Sequence, residues 1–159
     1  MKLYFSGKHN AVTRKELRYA AFFFAEELIS SKLMPYIFIK IIVEDESEDM
    51  DNTVGSTRWV HDNHNPRIFE VRISPNQNRL NTLGTLAHEM VHVKQYVNGE
   101  LKQYVMREGW RWKNKVMMDD DEGMYYSKLP WEREAYRKQQ KLLVSYMTNL
   151  ILENKTFDP

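Results

Sequence analysis

Two histidines four residues apart, His88 and His92, stand inside an unbroken run of apolar and helix-forming residues, and no other feature of the chain constrains its fold as much. Positions i and i+4 of a helix lie about 40° apart around the axis and one turn along it, so both imidazoles leave one face and reach a common point. The segment reads as a helix from about Asn78 to Tyr96, with Gly99 just beyond it as a stop. With His88 placed at 0°, Leu80, Leu83, Ala87, Met90 and Val91 fall between about 200° and 300°, a coherent buried stripe. The histidines run along the border of that stripe, where the wall of a cleft belongs. Glu89 is turned about 100° from His88, beside the pair. Gln95 shares the histidines' sector, placed to meet a substrate or to brace a ligand side chain.

His88-Glu89-Met90-Val91-His92 is the His-Glu-x-x-His arrangement of zinc peptidases, in which two imidazoles hold the ion and the glutamate serves as general base. The chain has no Cys, which removes disulfides, thiolate metal sites, iron–sulfur clusters and a Cys nucleophile. Any metal must therefore be held by His and carboxylates. A catalytic zinc usually takes three protein ligands. The metzincin extension needs Gly at position 95 and His at position 98; this chain has Gln95 and Asn98, and no histidine follows His92. An upstream ligand would be His9, His61 or His64. The better candidate lies in Pro130-Trp131-Glu132-Arg133-Glu134-Ala135-Tyr136. With Glu132 at 0°, Ala135, Leu142, Leu143, Tyr146, Met147 and Leu150 fall between about 280° and 60°, while Glu134, at about 200°, is expected to face solvent. Glu132 thus points inward, where a carboxylate is costly unless it is paired or bound to metal. The competing reading gives Glu132 only a favourable place at the start of the helix dipole. Tyr136, at about 40°, is read either as a hydroxyl bonded to a ligand imidazole or as a core aromatic. Asp or Glu residues elsewhere are expected to orient the histidines.

The remainder reads as one α+β domain over residues 1–159. Leu17, Ala20, Ala21, Phe24 and Leu28 draw a stripe on a helix from about Thr13 to Ser31, Thr13 and Glu16 form a capping box, and Phe22-Phe23-Phe24 predicts cover on two sides. Tyr36–Val43 reads as a central strand. Thr53–Val60 and Arg67–Ile73 read as two more, joined by a turn at His61–Pro66, with Phe69, Val71 and Ile73 facing inward. From Leu101 to Pro130 the pattern weakens, and Asp119–Glu122 is a solvated loop without the spacing of a calcium loop. A last helix covers about Trp131–Leu152. Lys plus Arg is 23 against 22 for Asp plus Glu, a net charge of +1 that gives no general attraction to nucleic acid or acidic membrane. Arg107, Arg111, Lys113 and Lys115 read as a solvated strand face, with a small basic patch of the kind a DNA-associated peptidase would carry as the alternative. No secretory leader or membrane span is expected, so the protein is placed in the cytoplasm.

The helix motif His88 to Tyr96 and the segment Pro130 to Tyr136 together resemble the gluzincin branch of the zincin metallopeptidases, in particular small, often phage-encoded members. The resemblance implies a minimal zincin-like fold: a small mixed or mainly antiparallel sheet packed on an N-terminal helix, an active-site helix and a C-terminal ligand helix. It implies one zinc ion per chain on His88, His92 and Glu132, with Glu89 as the base for hydrolysis of a peptide bond in a peptide or protein substrate. In a phage-encoded protein the compartment is the host cytoplasm. In larger gluzincins the ligand glutamate is followed by Ala three residues on and Asp four residues on; Ala135 meets the first, while Tyr136 departs from the second. The strand before the active-site helix, Arg67–Ile73, would line the cleft as an edge strand and pair with substrate. Tyr125, Tyr126 and Arg111 are the candidates for stabilising the transition state. The alternative function is a non-catalytic zinc-containing structural or binding module, such as a phage accessory protein.

Overall fold

The computed structural model describes residues 1–7, 11–44, 54–61, 64–103, 109–117 and 129–157. Three helices, α1 (Arg14–Leu28), α2 (Arg79–Val97) and α3 (Pro130–Leu152), accompany seven strands. Four of the strands form one sheet: β1 (Lys2–Gly7), β2 (Phe38–Val43), β3 (Gly55–Trp59) and β4 (Ile68–Ile73), in the order β1-β2-β4-β3. β1, β2 and β4 run parallel, and β3 pairs antiparallel with β4. The fold is therefore α+β with a mixed main sheet. A second, antiparallel sheet holds β5 (Leu101–Gln103), β6 (Trp110–Trp112) and β7 (Lys115–Met117). No helix among the described residues is long and apolar enough to cross a membrane.

Register sorts the main sheet into two faces. Leu3, Ile39 and Phe69 align across three strands, as do Phe5, Ile41 and Val71, so alternate apolar residues stack on one side. Ile39, Ile41, Phe69, Val71 and Ile73 are buried there with Leu83, Leu86, Met90 and Val91 of α2. The opposite side carries Lys40, Arg58, Glu70 and Arg72, joined by ion pairs. Such exposed pairs contribute little; the sheet is held by its apolar face. The central place expected for the Tyr36–Val43 strand is observed, shortened at its start by a turn of 3-10 helix at Met34–Tyr36. The expected edge strand is not observed. β4 lies between β2 and β3, and the edge is β3, because the hairpin folds its first strand outward.

α1 begins at Thr13, whose hydroxyl accepts the Glu16 amide. The glutamate does not close a reciprocal box; its buried carboxylate accepts from Arg79 at the start of α2. Phe23 and Phe24 pack on Tyr146 of α3, giving α1 the second covered side that the triple Phe predicted. α2 is covered almost all round from Thr82 to Val97, with α1, α3 and the sheet against it. Leu80 is the exception to the expected stripe: it is 53% exposed, two residues before that cover begins. Beside the start of α3, Trp110 and Trp112 of β6 place their rings 5.6 and 6.3 Å from Trp131.

Glu16 and Arg79 clamp α1 to α2 with one partner fully buried. Replacing Arg79 with Ala leaves that carboxylate unpaired and is expected to cost about 2 kcal/mol, below the loss for a pair buried on both sides because Arg79 is half exposed. Replacing both residues with Leu should recover most of the loss. Urea denaturation of the parent and the two variants measures it.

Candidate metal centre

α2 and α3 each contribute to one point. His88 Nε2 lies 3.1 Å from His92 Nε2 and 3.1 Å from Glu132 Oε2, and His92 Nε2 lies 3.3 Å from Glu132 Oε1. These three side chains form a group able to hold a metal ion. The distances match the chemistry. Zinc–nitrogen bonds are about 2.0–2.1 Å, and the edge of a tetrahedron built on them is about 3.3 Å. All three ligands sit where the periodicity of their helices put them. The competing role of Glu132, a mere dipole partner, does not account for its burial against both imidazoles.

The outer nitrogens explain why this cluster needs a cation. His88 Nδ1 is 3.1 Å from Gln139 Oε1, and His92 Nδ1 is 2.9 Å from Gln95 Oε1. An amide oxygen only accepts, so each Nδ1 carries its proton and donates it. In the neutral rings both Nε2 lone pairs then face one another and the Glu132 carboxylate. The charge of the pocket acts in the same sense. Burial opposes a charged His92, but the bond to Glu132 and the charges of Glu89 and Glu132 outweigh it and push its pKa up to about 9. The protein atoms make a place for positive charge.

Glu89 is 4% exposed, and its carboxylate is turned to the edge strand. Because residues opposed across an antiparallel pair share a face, Gly55, Thr57 and Trp59 of β3 look inward with Ile73, Val71 and Phe69. Thr57 Oγ1 donates to Glu89 Oε2 at 2.7 Å, and the Trp59 ring packs 4.9 Å from Tyr96. Gly55 must lack a side chain: a Cβ there would sit 2.4 Å from the Thr85 methyl and 2.9 Å from Glu89 Oε1. Burial raises the pKa of Glu89 above the usual carboxylate range, while the charges of His92 and His88 and the Thr57 bond pull it back. A carboxylate so placed is a better base than one in water.

Several expectations need correction. Glu134 does not face solvent: its side chain is 11% exposed, it accepts from Gln95 Nε2 at 3.0 Å, and it pairs with Lys94. A helical wheel cannot see that Lys94 and Gln95 of α2 reach the far side of the first turn of α3. Tyr136 is neither a core aromatic nor an observed partner of an imidazole nitrogen. It is 49% exposed, with its ring edge-on to His88 at 4.6 Å. The histidines are oriented by two glutamine amides, and among the described residues no Asp or Glu bonds either Nδ1. Gln95 was legible from its sector; Gln139 follows Glu132 by seven residues, two helical turns, and Thr57 was visible only as a β3 residue. His61 and His64 are exposed, and neither joins the ligand group. Arg111 lies on β6 opposite Lys102 and Val116, and no hydrogen bond or ion pair among the described residues ties it to the site. His9, Arg107, Asp119–Glu122, Tyr125 and Tyr126 lie outside the described residues.

Gly84, one turn before His88, lets Gln139 approach: a Cβ there would meet Gln139 Nε2 at 3.1 Å. Replacing Gly84 with Ala favours the helix by up to about 1 kcal/mol but displaces the amide that holds His88. The expected outcome is a metal-free protein at least as stable as the parent, by thermal denaturation, with a metal affinity lowered several-fold, by chelator competition.

Comparison with protein-family models, curated proteins and solved structures finds no match for this chain, so the reading of the site rests on the geometry of its own residues.

Proposed function

We propose that the protein is a zinc-dependent hydrolase of peptide bonds, with one zinc per chain held by His88, His92 and Glu132 and with Glu89 as general base. The observation that carries this reading is the pairing of a three-ligand group with a buried, pKa-raised carboxylate one residue from a ligand on the same helix. A site that only held metal for structure would have no use for that base. Bound zinc supplies Lewis acidity, which acidifies a water and polarises a carbonyl. The chain's own groups supply the rest. Glu89 takes the proton of the attacking water and returns it to the leaving amine, and Thr57 holds its second oxygen in place during both transfers.

Two further features support a peptide substrate. β3 ends the main sheet beside Glu89, and a terminal strand is the element that an extended peptide would join. Tyr136 stands half exposed against His88, and the charges of Glu132 and Glu89 both act on its hydroxyl. It is the donor best placed, among the described residues, to meet the negative charge that develops on a substrate carbonyl.

Three variants test the assignment. Glu132→Ala and His88→Ala should lose most of the zinc found by metal analysis of the purified parent. Glu89→Gln should keep that zinc and lose at least about a hundredfold in cleavage of a peptide library. Full activity in Glu89→Gln would exclude the base, and zinc uptake without cleavage by the parent would leave a metal-holding module. Tyr136→Phe should lower kcat by about tenfold or more with little change in zinc content.

A further inference from the structure

We propose that Glu134 is a positioning residue for the metal centre: acting through the Gln95 amide, it keeps the proton of His92 on Nδ1 and so leaves Nε2 free to bind the ion. The inference deepens the metal assignment above and rests on it, while hydrolysis is not needed for its test. Gln95 is wholly buried. Its amino group donates to two acceptors, the Trp131 carbonyl at 3.0 Å and Glu134 Oε2 at 3.0 Å. With both acceptors on one side, the amide has a single satisfied orientation, and its oxygen must face His92 Nδ1, 2.9 Å away. The donor role of Nδ1 follows from Glu134 at one remove.

The placement of Glu134 is itself enforced. Lys94, buried on α2, lies 3.5 Å from both oxygens of Glu134 and 2.6 Å from Glu100, and Lys138 lies 3.7 Å away one turn along α3. Glu134 also borders a groove of about 270 Å³ lined by Trp112, Lys113, Pro130, Arg133 and Arg137. Among the described residues, however, its hydrogen bonds run to Gln95 and Lys94 and not to those cations. A carboxylate can only accept. A glutamine in its place can also donate, which would let the Gln95 amide turn over, present its amino group to His92 and favour the ring form with the proton on Nε2. His88 meets the Gln139 amide instead, with no part for Glu134, so His88 is an internal control.

The experiment is a cycle of Glu134→Gln, Gln95→Met and the double variant, read by zinc affinity in chelator competition and by exchange of the imidazole Nδ1–H protons in NMR of the zinc-loaded protein. Glu134→Gln is expected to weaken zinc binding about tenfold in the parent and less than about twofold in the Gln95→Met background, because its effect passes through Gln95. The His92 Nδ1–H resonance should exchange faster in Glu134→Gln while that of His88 stays unchanged. Equal losses in both backgrounds, or equal changes at both histidines, would overturn the proposal in favour of a general structural role. If Gln95→Met does not fold, the comparison of the two histidines in Glu134→Gln decides alone. A parent that takes up no zinc refutes the metal assignment and this inference with it, whereas zinc uptake with no effect of Glu134→Gln refutes this inference only.

Discussion

Everything at the centre of this molecule depends on two imidazole nitrogens and one carboxylate, carried by two different helices and held in contacts of 3.1 to 3.3 Å. Lone pairs brought so close repel, and a buried carboxylate facing two imidazoles is expensive in a medium that screens charge poorly. The protein keeps them together because each is fixed elsewhere: the histidines by glutamine amides, and Glu132 by its place on the first turn of a helix anchored through Trp131. The tryptophans of the small second sheet therefore belong to the site although they do not touch its ligands. They hold the first turn of α3 against α2.

A helix covered on nearly all sides would ordinarily be apolar all round. α2 is not. Glu89, His92, Lys94 and Gln95 are all buried on it, and each has a specific partner: Thr57 for Glu89, Gln95 and Glu132 for His92, Glu100 and Glu134 for Lys94, Trp131 and Glu134 for Gln95. Buried polar groups are tolerated only as a connected and satisfied set. The set on α2 divides in two, a reactive side turned to β3 and a bracing side turned to α3 and β5. The second side lets the first be held rigidly without a larger core.

Most of the helical framework was legible in the sequence, because three-and-four periodicity reports the buried face of a helix directly. The positions of His88, Glu89, His92 and Glu132 followed from the same arithmetic. The errors share a cause. Glu134 looked solvent-facing and Leu80 looked buried because a single element was read without its neighbours, and the edge position of Arg67–Ile73 was carried over from the resemblance without knowledge of the strand order. β1 left no clear pattern: Lys2–Gly7 is short, and only its parallel pairing with β2 makes it a strand. In the second sheet, Trp110 and Trp112 alternate about Arg111 and lead into a two-residue turn at Lys113-Asn114. That alternation is a strand signal, hidden by strands of only three residues.

The glutamines also explain why no Asp or Glu orients the histidines. Glu132 and Glu89 already bring two negative charges to the buried centre, enough to balance a divalent ion. A carboxylate against either Nδ1 would make the filled site net negative, a state that burial penalises. An amide supplies the same acceptor without the charge. The one further carboxylate nearby, Glu134, is set back behind Gln95 and neutralised by Lys94 and Lys138. Its influence therefore reaches His92 as orientation and not as charge. This arrangement leaves the Nε2 atoms of both imidazoles turned to a shared point with Glu132, where a metal ion can be held.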